Sequence, residues 1–190
     1  MSAVLEFPQR HAVSVQEYLR MGEAGVFASD ARLELIEGEI VERAPIGSRH
    51  AGMVNTLIWL FSRAAGDRAV VAAQNPLIAG DRSVPQPDVV LLRPRADRYS
   101  RSHPTPADVL LLVEVAESTL PFDLGTKVPL YSRCGIAEAW VIDVQERVVH
   151  VFRDPSPSGY RTSFTLKGDE KVTALALPAI VVPVAELFPA

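Results

Sequence analysis

The spacing of apolar residues changes several times along the chain, and each change marks an expected element. Ser14 followed three residues later by Glu17 is a capping-box pattern, predicting a short helix through Tyr18 and Leu19. Apolar and charged positions then alternate in Arg32-Leu33-Glu34-Leu35-Ile36 and Glu39-Ile40-Val41-Glu42. These read as two strands joined at Glu37-Gly38, where glycine supplies the positive φ of a tight turn. From Ser48, an expected N-cap, the period lengthens. Ala51, Val54, Leu57, Ile58, Phe61 and Ala65 share one helical face, and Gly66 is a natural stop. Three short β-like runs follow, at Ala69 to Ala73, Pro76 to Ala79 and Asp88 to Leu92, with Asp81 and Arg82 in the turn between the last two.

Residues 93–107 are loop-like, with Pro94, Pro104 and Pro106 among several arginines. Val109 to Val115 is almost continuously apolar, as suits a strand buried on both faces of a central sheet. A second helix is expected over roughly 126–133, with Thr126 as N-cap, Pro129 in its first turn and Gly135 closing it. Ala139 to Val144 and Val148 to Arg153 read as a hairpin turning near Gln145-Glu146. Asp154 to Gly159 is turn-rich and Tyr160 to Leu166 is a further strand. The apolar stretch from Ile180 to Val184, with Leu187 and Phe188, is expected to pack back on the domain. No internal repeat interrupts this order. The pattern is that of an α/β (α+β) fold, a mixed sheet with few helices.

Composition narrows the picture. A chain of 190 residues, 48% of them apolar, suits one domain with a core that needs no disulfide or structural metal. No apolar run reaches the roughly 18 residues of a membrane span, so no membrane partner is expected. The start of the chain, with Glu6, Pro8 and Arg10, lacks the order of a secretory signal. Cys134 is the sole cysteine, which excludes an internal disulfide and a cysteine-based zinc cluster, and a reducing cytoplasm is the expected home. A net charge of −4 does not announce a nucleic-acid binder, yet carboxylates gathered for metal ions would by themselves push the sum negative. Among 19 basic residues only Lys127, Lys167 and Lys171 are lysines. Composition drift accounts for such a skew. So does a site at Lys127 that needs a compact ammonium rather than a forked guanidinium.

Two acids stand in unusual places. Asp88 follows Pro87 at the mouth of a strand, and Glu114 interrupts the most hydrophobic strand of the chain. A charge there is costly unless it is paired or binds a metal. The ordinary reading of Glu114 is a buried pair with an arginine, or exposure at the strand's end. Pro87-Asp88 with an acid 26 residues later in an apolar strand resembles the PD-(D/E)xK phosphodiesterase superfamily, although Ala116 occupies the place of its usual lysine. A wider set of motifs resembles the Uma-two family of restriction endonucleases. These are Glu34 to Val41, Arg49-His50, Pro87-Asp88-Val89-Val90, Val113-Glu114-Val115 with Ser118-Thr119, Asp123 with Lys127 and Tyr131, Gly135-Ile136, Glu138, and Trp140 to Asp143. The resemblance runs in order from about residue 14 to the C-terminus.

That resemblance implies a restriction-endonuclease-like mixed central sheet flanked by helices, with additional hairpins, and an enzyme that hydrolyses DNA with Mg²⁺ or Mn²⁺. It implies Asp88 and Glu114 as metal ligands, joined by the backbone carbonyl of Val115 or Ala116, and Lys127 supplied from the helix after the Glu-bearing strand. Glu34 is a candidate for a further acid, against an equally ordinary solvent-facing strand position. Asp123 and His50 are expected in supporting roles, and Tyr131 and Trp140 as packing residues. Gln74 has a place near the cleft that nothing local demands. Family members commonly carry Ser-Pro where this chain has Glu117-Ser118, and Pro129 bears on how the helix presents Lys127. Arg93, Arg95, Arg98 and Arg101 form a basic loop that either contacts the DNA backbone beside the cleft or is solvated surface. Two other readings stay open: a nuclease-fold binding protein without turnover, and a nuclease for RNA or structured DNA. Restriction-type folds often act as dimers, so a homodimer is compatible with all three.

Overall fold

The computed structural model describes residues 10–188, so Glu6 and Pro8 lie outside it. Helix α1 (Val15–Glu23) begins as expected: Ser14 Oγ accepts from the Glu17 amide and the Glu17 carboxylate accepts from the Ser14 amide. Strands β1 (Leu33–Ile36) and β2 (Glu39–Glu42) form a separate antiparallel hairpin. Glu37 and Gly38 turn it with φ of 51° and 88°. Glycine is needed at 38 for a second reason, since a Cβ there would lie 2.8 Å from that of Ala12.

Helix α2 (Ser48–Ala65) is N-capped by Gly47, not by Ser48, which is already its first turn; Gly66 ends it. Beyond it come β3 (Val70–Ala73) and β4 (Val89–Leu92). The expected strand at Pro76 to Ala79 is absent. Leu77 and Ala79 donate to the carbonyls of Pro85 and Ser83, but Pro76, Pro85 and Pro87 have no N–H to offer, so no regular ladder forms. Strand β5 (Val109–Ala116) is buried at every residue.

The next helical stretch differs from expectation. It starts at α3 (Leu120–Phe122), passes through a π-helical turn (Asp123–Lys127) and continues as α4 (Val128–Arg133). Thr126 is therefore not an N-cap. Pro129 has no N–H, and in a regular α-helix its ring would press on the carbonyl four residues back. The wider π turn, with Val128 N–H bonded to the Asp123 carbonyl, accommodates it within a continuous helix.

Strands β6 (Glu138–Asp143) and β7 (Val148–Arg153) form the expected hairpin, followed by β8 (Thr162–Lys167). The chain then adds β9 (Lys171–Thr173), β10 (Val181–Pro183) and α5 (Val184–Leu187), with β9 and β10 paired antiparallel. The central sheet has six strands in the order β3-β4-β5-β6-β7-β8, and only β5 and β6 run parallel. On one face, Val89, Leu91, Leu111, Val113, Trp140 and Ile142 meet Leu57 and Phe61 of α2 and the C-terminal Ile180, Val184 and Leu187. On the other, Val90, Leu92, Leu112 and Ala139 meet Leu130, Tyr131, Ile136 and Ile36. Among the described residues no helix is long and apolar enough to cross a membrane.

Candidate functional site

The position of the two unusual acids follows from strand periodicity. Val89 pairs with Val113 across the antiparallel β4–β5 ladder, and one step further sets Asp88 opposite Glu114. Opposed residues project to the same face. Alternation puts Asp88 with Val90 and Glu114 with Leu112, on the face covered by α4 and the β1–β2 hairpin. Asp88 and Glu114 are each about 1% exposed, and Glu34 is fully buried.

The helical stretch brings Lys127 to them. Its Nζ lies 3.1 Å from Glu114 Oε1 and 3.2 Å from Glu34 Oε1. Glu34 Oε2 is also within 3.1 Å of Nζ, as an ionic contact without hydrogen-bond geometry. Tyr131, one helical turn beyond Lys127, donates its hydroxyl to Glu114 Oε1. Glu114 Oε2 has no partner. Arg43, just past β2, donates to Glu34 Oε1 (3.1 Å), the Gln86 carbonyl (2.9 Å) and Asp88 Oδ1 (3.3 Å). Asp88 Oδ1 also lies 2.9 Å from His50 Nε2 and accepts from Gln74 Nε2 at 3.3 Å. Its other oxygen accepts the Val115 amide at 2.9 Å. Three buried carboxylates are thus matched inside the protein by a guanidinium, an ammonium and an imidazole.

Electrostatics divide the acids. Burial raises the Asp88 carboxyl, but His50, Arg43 and the Val115 amide more than offset it, holding it down to about 2. Glu114 goes the other way: burial, helped by Asp88, Asp123 and Glu34, outweighs Lys127 and pushes it up to about 8. Burial alone would lower the Lys127 ammonium, but Glu114 and Glu34 hold it above its usual value, so it stays charged. Burial and the Glu114 charge raise the Tyr131 phenol well above its usual value, so it remains a donor.

Above this cluster opens a cleft of roughly 370 Å³ between the end of the β1–β2 hairpin, the start of α2 and the 117–123 segment. Arg32, Arg43, His50, Asp123 and Lys127 line it. Glu42 and Glu117 also reach this cleft, whereas Asp88, Glu114 and Glu34 lie behind its wall. Asp123, 3% exposed, accepts from Thr119 Oγ1 at 2.5 Å and makes no ion pair with Lys127, although its backbone carbonyl helps form the π turn that presents the lysine. Burial raises its carboxyl.

Of the residues singled out from sequence, Asp88, Glu114, Lys127, Glu34 and His50 come together, with Asp123 beside them. The solvent-facing alternative for Glu34 is excluded by its burial. The arginine loop does not come to the cleft. Arg93 follows the end of β4 opposite to Asp88, and Arg95 and Arg98 lie by Ser62 and Gly66, at the far end of α2 from His50. That helix has 18 residues and spans about 27 Å. Arg95 is engaged locally, bonded to Asp97 and stacked over Tyr99. Two other contributors were missed or read as packing. Arg43 is one of sixteen arginines and nothing in its neighbours distinguishes it. Tyr131 falls at an apolar position of its helix, and its signals in the sequence are the i+4 spacing from Lys127 and its place in the same motif. Trp140 is a core residue, its Nε1 bonded to the buried Glu138.

Comparison with known proteins bears on the family and the fold. The family described as "Uma2: Putative restriction endonuclease" matches residues 15–185. A crystal structure described as a "putative nuclease" from Anabaena variabilis shares the fold, with a TM-score of 0.72 at 16% identity, covering 93% of this chain and 97% of that one. No curated protein matches the chain.

Proposed function

The chain belongs to the Uma2 family, and on that premise we propose that it is a metal-dependent endonuclease that hydrolyses DNA phosphodiester bonds with Mg²⁺, for which Mn²⁺ substitutes. The observation that carries this reading is the convergence of Lys127 on Glu114 and Glu34, with Asp88 opposite Glu114 on the adjacent strand. The donor set fits a hard cation. Asp88 and Glu114 offer oxygens from neighbouring strands, and Glu114 Oε2 is buried without a partner. Mg²⁺ keeps several of its waters and needs only one or two carboxylates. When bound, it would act as Lewis acid and lower the pKa of a coordinated water.

The chain's own residues supply the rest. Lys127 stays protonated between two carboxylates, so it serves as a donor that orients the attacking water and balances charge growing on the phosphoryl oxygens, not as the base. Tyr131 fixes one Glu114 oxygen and so leaves the other directed to its task. His50 and Gln74 hold Asp88 in one orientation. Arg32 and the cleft-facing edge of Arg43 meet the phosphate backbone as it enters.

A second reading has one observation in its favour. Among the described residues no three His, Cys, Asp or Glu side chains form a ready metal cage, and Asp88 Oδ1 already holds three donors. That suits a protein that binds nucleic acid without cutting it. Cleavage of supercoiled plasmid and single-stranded DNA with Mg²⁺, Mn²⁺ or EDTA separates the two, with RNA as competitor to define the substrate. We expect nicking that needs metal and is lost in Asp88→Ala and Lys127→Ala. Binding without nicking in the wild type would establish the second reading, and nicking that survives both substitutions would move the active site elsewhere.

A further inference from the structure

We propose that Arg43 is a positioning residue that stands in for the divalent cation at Asp88, so that guanidinium and metal compete for the same carboxylate oxygen. The inference rests on the metal-dependent reading above and concerns how this chain tunes it.

Asp88 Oδ1 receives three donors, and they differ in how firmly they are held. Gln74 lies just past the end of β3, one residue beyond the Ala73–Val89 pair, and its backbone amide also donates to the Asp88 carbonyl. His50 belongs to the first turn of α2 and makes the shortest of the three contacts, 2.9 Å. Arg43 reaches in from just past β2, at 3.3 Å, with its side chain 15% exposed on the cleft wall. His50 reaches the same cleft, with its side chain 12% exposed, but of these two cleft-facing donors Arg43 makes the longer contact to Asp88. The other Asp88 oxygen is fixed by the Val115 amide of the central sheet, so the carboxylate itself cannot turn away.

The guanidinium also cannot lose its charge, because an arginine side chain stays protonated throughout the working pH range. An arriving divalent ion therefore meets a fixed positive charge on its own ligand, and must displace it or bind weakly. Arg43 keeps a second anchor when displaced: Nη1 is bonded to Glu34 Oε1 and to the Gln86 carbonyl. Release from Asp88 frees only Nη2, leaving the group poised over the cleft. Lys127 contrasts with it, since its two acids enclose it and its side chain is 2% exposed.

The test measures Mn²⁺ binding without DNA, from the loss of the free-ion signal in electron paramagnetic resonance. It compares wild type, Arg43→Met, Arg43→Gln and, as a control that removes one cleft charge away from Asp88, Arg32→Met. Glutamine keeps an N–H donor should methionine compromise folding. We expect both Arg43 variants to bind Mn²⁺ at least about tenfold more tightly than wild type, and Arg32→Met to stay within about threefold. Equal or weaker binding by the Arg43 variants, with measurable binding by wild type, overturns the competition but leaves the metal-dependent reading intact. No binding by any of the proteins overturns both. A second measurement needs no destabilised variant: the Arg43 Nε–H resonance, assigned by its loss in Arg43→Lys, should shift as Mg²⁺ is titrated into the wild type. A resonance that stays fixed while Mg²⁺ binds overturns the proposal.

Discussion

Asp88 carries its charge against the core wall because four donors from the same chain converge on its two oxygens. Such pairing has a consequence in acid. Its folded pKa, about 2, lies below the ordinary 3.8, so its stabilising contribution is fully present above about pH 4 and is lost as pH falls through 2. The size is about 2 kcal/mol. Asp88→Asn should therefore flatten the fall in Tm between pH 4 and pH 2, while lowering Tm at neutral pH by leaving Arg43 underpaired. An unchanged acid slope in that variant would mean that Asp88 is not the group responsible. Residue-scale legibility was uneven for a physical reason. An acid inside an apolar strand and a lone lysine contrast with their surroundings, so Asp88, Glu114 and Lys127 stood out. Arg43 and Tyr131 matched theirs, an arginine in an arginine-rich chain and an aromatic on an apolar helix face, and their roles exist only in three dimensions.

At the scale of elements, strand alternation and turn chemistry were readable locally, and the capped α1, the β1–β2 hairpin, β5 and the β6–β7 hairpin lie close to where the pattern set them. What failed was prediction that depended on a partner. Pro76 to Ala79 has a strand's composition, but the chain facing it contributes prolines where a ladder needs amides. The helix after β5 is expected from sequence to start with Thr126 as N-cap because that puts Pro129 in a first turn, where its missing N–H costs nothing. The π turn lets the helix start earlier, and it also sets the angle at which Lys127 leaves the helix. Pro129→Ala removes the reason for the wider turn. We expect it to leave Tm unchanged or raised while cutting metal-dependent nicking at least about tenfold, because a shift of one residue along a helix rotates a side chain by about 100°. Nicking at the wild-type rate, measured beside thermal unfolding, would show that the proline does not aim the lysine.

Across the whole molecule the sheet divides labour by face. The face covered by α2 and the C-terminal segment is mainly apolar, its buried Glu138 paired with Arg153, whereas the opposite face surrounds the charged cluster. Damage to the first should cost stability and spare the site. Ile180→Ala, at a fully buried position of the apolar face, should lose about 2–4 kcal/mol and lower Tm by about 5–15 °C. Its Mn²⁺ affinity at 20 °C should match wild type; an affinity that falls with stability would show the two faces to be coupled. The basic loop at 93–101, read from sequence as either a contact to the DNA backbone or solvated surface, lies away from the cleft. It follows Asp88 closely along the chain, but β4 runs between them, so Asp88 and the loop sit at opposite ends of that strand.

The self-neutralised cluster bears on the order of events in a protein's life. Zinc fingers must capture their ion before they hold a shape. Here Asp88, Glu34 and Glu114 each already have a cationic partner from their own polypeptide, so a chain leaving the ribosome can close around this centre with no ion at hand. In the proposed reading, scarcity of magnesium would then silence a standing population of finished molecules without condemning them to degradation, and replenishment would wake them faster than new synthesis.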